Sequence, residues 1–250
     1  DNNGPVCTGS QLDLTASTLS GATYLWSGPD GFASTDQNPS LTYSSLNAGV
    51  YTVQILVGGC QATAYTQVTS ASTPGLWTGA TGTDWATATN WCDGNVPTAA
   101  TDVTIPAIVP NMPTVGSNEA CRDLSIATGA TVTTTAVGTL HVAGTLTSTG
   151  SMVNDGTTIF DGTAGQQTFA GVTAFHHLTV DNAAGLSLPA AIVVSGDLSI
   201  ATGTLTANSY TITVAGNWDN AGSFASGSGT VILDGGSSQS VSQTGAGDFY

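Results

Sequence analysis

Two aspartates in the segment NDGTTIFDG are the first candidates for chemistry in this 250-residue sequence. Asp155 and Asp161 stand six residues apart. Paired carboxylates can act as general acid and base in a glycosidase, or they can ligate calcium. Each is followed by glycine, however, and Asp-Gly is typical of a turn. We therefore predict no catalytic pair and no other metal or cofactor, and retain Asp155 and Asp161 only as a candidate calcium site.

The sequence lacks the common catalytic motifs. It contains no G-x-S-x-G elbow, no H-E-x-x-H motif and no P-loop. A polysaccharide lyase also needs cations beside the substrate carboxylate, and Arg122 is the only Lys or Arg in the chain. We predict that the protein is not an enzyme, and a polysaccharide-degrading β-helix is the weaker alternative.

Three tryptophans, Trp77, Trp85 and Trp91, lie within fifteen residues of one another. Aromatic faces stack on sugar rings, so these side chains are candidate glycan contacts. The competing interpretation is that they pack inside a cap that closes one end of a repeat structure. Packing is the favoured interpretation. Cys92 and Cys121 occur in the same region, and a bond between them would brace that cap.

Four cysteines, Cys7, Cys60, Cys92 and Cys121, are too widely spaced for a zinc site with close Cys pairs. They predict two disulfides in a protein from an oxidising compartment. The pair His176–His177 is a weak metal candidate, because adjacent residues on a strand point to opposite faces. No metal site is predicted there.

The composition excludes several classes of partner. Sixteen acidic residues and one cation give a formal net charge of −15, which argues against binding to nucleic acid or anionic lipid. No apolar run approaches the roughly 20 residues of a membrane-spanning helix, so membrane insertion is not expected. Hydrophobic residues make up 40% and charged residues only 7%, with many β-formers and turn residues. An all-β fold is predicted.

Residues 1–71 have the alternating pattern of short β-strands. The segments QLDLTA and YTVQILV each place apolar residues on one face, and Trp26 and Tyr51 are candidates for a buried core. The small-residue segment at 72–75 is predicted to be a linker. The order Cys, WSGPDGF, AGVYTV, GGC resembles bacterial Ig-like domains, which implies a β-sandwich. That resemblance implies a Cys7–Cys60 bond between the first and last strands.

The remainder contains a duplication. DLSIATG occurs at 123–129 and at 197–203, and further segments match at offsets of 72–74 residues. The second copy reaches Phe249 and Tyr250, where it meets the start of FHHLTV and stops, so we expect the chain to be a fragment. Apolar pairs such as Leu124/Ile126, Leu140/Val142 and Ile159/Phe160 recur every 16–20 residues. This pattern predicts a parallel β-solenoid with one short strand per coil, with residues 76–122 as a Trp-rich cap and first coils and 123–250 as the duplicated repeats.

The whole sequence resembles the Ig-like and β-helical segments of giant secreted adhesins of Bacteroidetes. The resemblance implies a non-catalytic structural or adhesive segment at the bacterial cell surface, exported by a type IX system and acting as a stalk, filament or display scaffold. Implied partners are neighbouring repeats of the same chain or other surface proteins. A glycan-binding module centred on the tryptophans is the alternative.

Overall fold

A computed structural model describes residues 1–247 of the protein. It consists of β-strands and three short 3-10 helices, Pro29–Gly31, Ser45–Asn47 and Ala88–Asn90. One hydrophobic core lies within residues 6–68 and a second within residues 77–224. The first belongs to antiparallel sheets and the second to a parallel β-solenoid, so the predicted fold class is confirmed. Phe249 and Tyr250, where the second repeat copy was expected to stop, lie outside the described residues.

The N-terminal module contains six strands in two antiparallel sheets. They are β1 (Gln11–Asp13), β2 (Thr23–Ser27), β3 (Ala33–Ser34), β4 (Ser40–Thr42), β5 (Gly49–Val57) and β6 (Cys60–Val68). One sheet pairs β1 with β4, and the other has the order β3-β2-β5-β6. Val6 bridges in parallel to Ser70, so backbone pairing joins the first and last segments of the module. This is the arrangement of an Ig-like sandwich.

Trp26 and Tyr51 have the core roles predicted for them. Trp26 is 1% exposed, and its indole N–H donates to the Gln37 carbonyl at 3.2 Å. The Tyr51 hydroxyl donates to the Asn47 carbonyl at 3.1 Å, four residues earlier in the turn between β4 and β5. Burial raises the pKa of Tyr51, so this hydroxyl remains a donor. The contact is the tyrosine corner found in Ig-like domains, and it holds the turn against the core.

Within residues 1–247, the solenoid has seven coils, each made of three short strands. The strands of coils 1 to 3 are β7 (Val103–Ile105), β8 (Thr114–Val115), β9 (Asn118–Cys121), β10 (Leu124–Ile126), β11 (Thr131–Thr134), β12 (Thr139–Val142), β13 (Leu146–Ser148), β14 (Ser151–Asn154) and β15 (Thr157–Phe160). Those of coils 4 and 5 are β16 (Phe169–Ala170), β17 (Ala174–Phe175), β18 (His177–Asp181), β19 (Leu186–Ser187), β20 (Ile192–Val194) and β21 (Leu198–Thr202). Coils 6 and 7 contain β22 (Thr204–Thr206), β23 (Ile212–Val214), β24 (Trp218–Asn220), β25 (Ser223–Ala225), β26 (Val231–Leu233) and β27 (Val241–Gln243).

Each coil contributes one strand to each of three faces. Face A begins with β7, face B with β8 and face C with β9, and every third strand along the chain joins the same face. Face C is one parallel sheet of seven strands from β9 to β27. Face A is interrupted after β16, where a single bridge joins Gln167 to Leu186. Within residues 1–247, no β-pairing joins β14 to β17 on face B. Face C is therefore the continuous spine of the column.

Alternation along each strand directs apolar side chains into the column. The Leu and Ile of both DLSIATG copies are at most 1% exposed, as predicted: Leu124, Ile126, Leu198 and Ile200. The predicted inward pair Ile159/Phe160 is wrong by one position. Thr158 and Phe160 are the buried pair, because residues two apart share one face of β15.

The expectation of one strand per coil is also wrong. Corresponding inward residues on face C, such as Val180 and Ile200, are 20 residues apart, and three strands fit into that length. Apolar pairs recur within a coil as well as between coils, because all three faces point inward. The predicted intervals of 19 and 20 residues therefore join successive coils on face C, and only the interval from Leu124 to Leu140 lies within one coil. The pattern detected one strand of most coils and missed the other two.

The duplicated unit is eleven strands long. DLSIATG contains β10 on face A in its first copy and β21 on face C in its second. Likewise β12 on face C matches β23 on face B, and β14 on face B matches β25 on face A. Eleven strands make three and two-thirds coils, so every strand of the second copy lies one face away from its counterpart in the first.

Candidate functional site

The tryptophans form a buried cap on the first coil. Leu76 continues face A by a parallel bridge to Thr104, and Asp84 continues face B by a parallel bridge to Thr114. The Trp91 ring lies between the other two, with centroids 4.9 Å from Trp77 and 4.8 Å from Trp85. The Trp77 indole donates to the Asn111 carbonyl at 2.7 Å, and the Trp91 indole donates to the Trp85 carbonyl at 2.8 Å.

Of the two interpretations of Trp77, Trp85 and Trp91, the candidate glycan contact does not fit the structure. All three side chains are 0% exposed, so none presents a ring face to a sugar. Their stacking on one another and on the first coil removes apolar surface that the end of the column would otherwise expose to water. The favoured interpretation, a packed cap, describes their position.

A buried asparagine shapes the loop of the cap. Asn90 is 0% exposed. Its Oδ1 accepts the backbone N–H of Thr81 at 2.9 Å and of Gly82 at 3.0 Å, while its Nδ2 donates to the Asp84 carbonyl at 2.9 Å. Satisfying these buried groups holds the loop over the tryptophans. Sequence reasoning missed Asn90, since an isolated Asn in a Thr-rich loop gives no periodic signal.

The disulfide in the structure joins Cys7 to Cys92, so it ties the N-terminal module to the cap. Both predicted pairings, Cys7–Cys60 and Cys92–Cys121, are wrong. Cys60 is an exposed thiol at the start of β6, at the opposite end of that strand from the linker. Cys121 is 0% exposed inside the first coil. Burial raises the pKa of the Cys121 thiol well above its usual range, so it remains protonated.

The two aspartates of NDGTTIFDG lie at opposite ends of β15, at different corners of the coil. Six extended residues span roughly 20 Å, so Asp155 and Asp161 do not face one another as an acid–base pair or a shared calcium site. Asp155 is exposed. Asp161 Oδ2 lies 2.7 Å from His141 Nδ1, one coil away, and accepts a hydrogen bond when that nitrogen carries a proton. Over residues 1–247, no cluster of three or more His, Cys, Asp or Glu side chains has the spacing for a metal ion.

The adjacent histidines do not point to opposite faces as expected. His176 precedes β18 at a corner, where strict alternation does not hold, and its ring centroid lies 4.3 Å from that of His177. His176 Nδ1 lies 3.0 Å from Ser195 Oγ, and His177 Nδ1 accepts the Asp197 backbone N–H at 2.9 Å. Both rings therefore bond to the next coil.

Two glutamines, one buried and one partly buried, brace equivalent corners of the two repeat copies. Gln167 accepts the Gly162 N–H through Oε1 at 2.8 Å and donates through Nε2 to the carbonyls of Val142 at 2.6 Å and Gly144 at 2.8 Å. Gln239 makes the same contacts in copy two, with Gly235, Val214 and Gly216. Both copies contain Asp-Gly followed by Gln, five residues after Gly162 and four residues after Gly235. This shared motif is the sequence signal that could have revealed the bracing.

The aspartate of DLSIATG has a structural role in both copies. Asp123 accepts the Thr145 backbone N–H at 2.7 Å, and Asp197 accepts the Asn217 backbone N–H at 2.7 Å. Each bond reaches the next coil at a corner. Gly144 approaches the Asp123 carboxylate so closely that a Cβ there would overlap it. The duplicated motif therefore supplies hydrogen bonds between coils and not a binding group.

The single arginine pairs with aspartates at the surface. Arg122 donates to both carboxylate oxygens of Asp102, and its Nε lies 3.8 Å from Asp123. The hydrogen bond from Arg122 lowers the pKa of Asp102. Side chains of both members of the Arg122–Asp102 pair are about half exposed, at 53% and 51%. The pair joins corners of successive coils.

Comparison with known proteins gives one partial match. Residues 76–165 match the model of a family described as a domain of unknown function (DUF8693). The match begins at the first residue of the cap and ends in the loop after coil 3. No curated protein matches the chain. Among the described residues there is no helix long and apolar enough to cross a membrane.

Proposed function

We propose that this chain is a structural and adhesive segment of a large extracellular surface protein, in which the solenoid is a stalk that carries the N-terminal module. The proposal rests mainly on the eleven-strand duplication. A column that bound a repetitive ligand along one side would need equivalent outward residues on the same face. Here His141 points outward on face C, and its counterpart Thr213 points outward on face B.

What the two copies share is internal. The inward Leu and Ile, the corner aspartates and the bracing glutamines recur, and all of them hold successive coils together. The core packing and the corner hydrogen bonds are repeated in both copies, whereas the outward residues are not repeated on the same face. This favours a role in extending the column. The separation of Asp155 from Asp161 supports the further proposal that the segment is non-catalytic.

The proposed setting is the surface of a bacterial cell, with export by a type IX system, as the resemblance to Bacteroidetes adhesins implies. The Cys7–Cys92 disulfide supports an oxidising compartment. Proposed partners are neighbouring repeats of the same chain or other surface proteins.

The stalk proposal is tested by lengthening the column. Inserting a second copy of residues 123–196 after Gly196 adds eleven strands and preserves the local sequence at both junctions. At a strand spacing near 4.8 Å, the column should lengthen by about 18 Å. Small-angle scattering measures the maximum dimension of parent and variant, and electron microscopy of the full-length protein provides the second measurement. A compact, globular particle in either experiment contradicts the stalk.

A further inference from the structure

We propose that the outer face of the β2-β5-β6 sheet, hereafter the outer sheet face, binds a neutral saccharide. It consists of the outward side chains of three neighbouring strands in the N-terminal module. The inference does not depend on the stalk proposal, because it concerns the module and not the column. It also differs from the candidate glycan site at the tryptophans, whose rings are buried.

Charge distribution is the first argument. β2, β5 and β6 together contain no charged residue, in a chain with a formal net charge of −15. The aspartates of the module lie outside these strands, at the N-terminus, in the other sheet, in a 3-10 helix and in a loop: Asp1, Asp13, Asp30 and Asp36. An anionic ligand is repelled by the chain as a whole, and a cationic one is attracted to carboxylates elsewhere. A neutral ligand suits the outer sheet face.

The register of the strands places amide and hydroxyl groups side by side. Gln54 on β5 lies opposite Thr63 on β6, and Gln61 on β6 lies opposite Leu56. Strands are spaced by roughly 4.8 Å and same-face residues along a strand by roughly 7 Å. Amide side chains both donate and accept hydrogen bonds, and Thr hydroxyls do the same. This is the kind of group that pairs with the hydroxyls of a sugar without a net charge.

Apolar surface lies directly beside these polar groups. Leu25 is 51% exposed, Leu56 46% and Tyr65 81%, and all three are on the outer sheet face. Tyr65 presents a ring for stacking on the C–H face of a sugar, and the leucines offer flanking contact. Exposed apolar side chains of the solenoid lie in loops, such as Ile108 and Val137, or singly and in one pair on the strands β14, β20, β26 and β27. The outer sheet face differs because an exposed aromatic ring, two leucines and glutamine amides lie together on adjacent strands.

A shallow cleft gives the surface a place for one ring. It has a volume of about 190 Å³ and is lined by Thr23, Tyr24, Leu25, Gln54, Leu56 and Gln61. This is smaller than the roughly 300–1,000 Å³ of pockets for drug-sized molecules. The cleft therefore fits a single sugar unit of a chain, with Tyr65 available to a neighbouring unit along β6.

The test is binding of the whole chain to a panel of neutral oligosaccharides, composed of glucose, xylose, mannose and galactose units, beside anionic alginate and sulfated polysaccharides. Binding is measured by glycan array and then by calorimetry on the best neutral probe. Tyr65→Ala and Gln54→Ala should each weaken that binding roughly tenfold or more, as expected for central contacts. Tyr210→Ala removes a partly exposed tyrosine from the solenoid and is the matched control, with binding unchanged.

Unchanged thermal unfolding of Tyr65→Ala shows that a loss of binding is not a loss of fold. Three results would overturn the inference: no neutral probe binds the parent, binding survives both substitutions, or only anionic polysaccharides bind. A fourth is a concentration-dependent dimer that Tyr65→Ala abolishes, since the outer sheet face would then be a contact between copies of this chain. Failure of binding leaves the length measurement of the stalk unaffected.

Discussion

The N-terminal module and the solenoid bury their apolar residues in different ways. The module closes one small core between two sheets, centred on Trp26, and leaves most of β6 exposed. The solenoid stacks its core coil upon coil from the cap to Phe224. In a column of this kind each coil contacts mainly its neighbours, so stability is close to a sum of local terms. The two parts should therefore unfold as separate units, joined by the linker and by the Cys7–Cys92 disulfide.

The largest effect is expected from the cap. Trp91→Ala removes the ring between the other two tryptophans and should cost about 3–5 kcal/mol of solenoid stability, because the cavity lies in a fully buried cluster. Denaturant unfolding followed by tryptophan fluorescence and far-UV circular dichroism measures the loss.

Trp26→Ala is the matched variant in the module and should cost a similar amount, but in the transition of the module alone. Two transitions that respond separately to the two variants support independent cores. A single transition shifted equally by both would contradict the comparison.

The bond between the two parts gives the next largest effect. Replacing Cys7 and Cys92 together by Ser should destabilise the chain by about 2–4 kcal/mol, since the disulfide closes a loop of more than eighty residues. Scattering should also show a wider spread of module positions, since the linker remains as the covalent connection. Cys60→Ser removes an exposed thiol and is the control, with no expected change. Equal unfolding of the double variant and the control would show that the disulfide does not couple the parts.

The bracing glutamines test whether both repeat copies depend on the same corner bonds. Gln167→Ala should cost about 1–3 kcal/mol, because the Gly162 N–H and the Val142 and Gly144 carbonyls lose a buried partner. Gln239→Ala should cost less, since Gln239 is only partly buried. Gln11→Ala, on the exposed surface of the module, is the control. Chemical denaturation gives the three values, and a Gln167 variant as stable as the control would refute the bracing role.

The smallest effect belongs to the surface ion pair. Arg122→Ala should change solenoid stability only slightly at neutral pH, because exposed pairs are screened by solvent and salt. The pKa of Asp102 is lowered in the folded protein, so the contribution is present above the ordinary aspartate value of 3.8. It is lost as the pH falls through the lowered pKa. Melting temperatures of parent and variant should thus converge in acid, and a difference that grows in acid would contradict this account.

The sequence predicts the fold class better than it predicts contacts. Alternation and Gly-rich turns reveal strands because a strand's period is local, whereas the Ig-like core around Trp26 and Tyr51 was implied by the resemblance to Ig-like domains. The number of strands per coil cannot be predicted from this alternation. All three faces direct alternate apolar side chains into the core, so their strands have the same sequence pattern. The prediction of the disulfide pairing is wrong for a related reason. Cys7 and Cys92 are 85 residues apart in the sequence, and they meet only once the module is folded against the cap. No local sequence pattern encodes a contact over that separation.

The candidate sites show the same difference between local patterns, which the sequence reveals, and contacts that depend on the fold. The tryptophans were recognisable as a group from their spacing, but whether a ring is buried or exposed depends on what packs over it. The outer sheet face was not recognised, because Gln54, Gln61 and Tyr65 are distributed over two strands and become neighbours only through the register of β5 with β6.

Because the duplicated unit has eleven strands and each coil has three, the number of copies also determines the face on which the column ends. Each added copy of the duplicated unit would advance the column by three and two-thirds coils, so its last strand would end on a different face. A segment attached to that strand would project from a different side of the column. The last strand would lie on the original face again only after three added copies, roughly 53 Å further along the axis. Copy number would therefore set both the reach of the column and the side toward which its far end points.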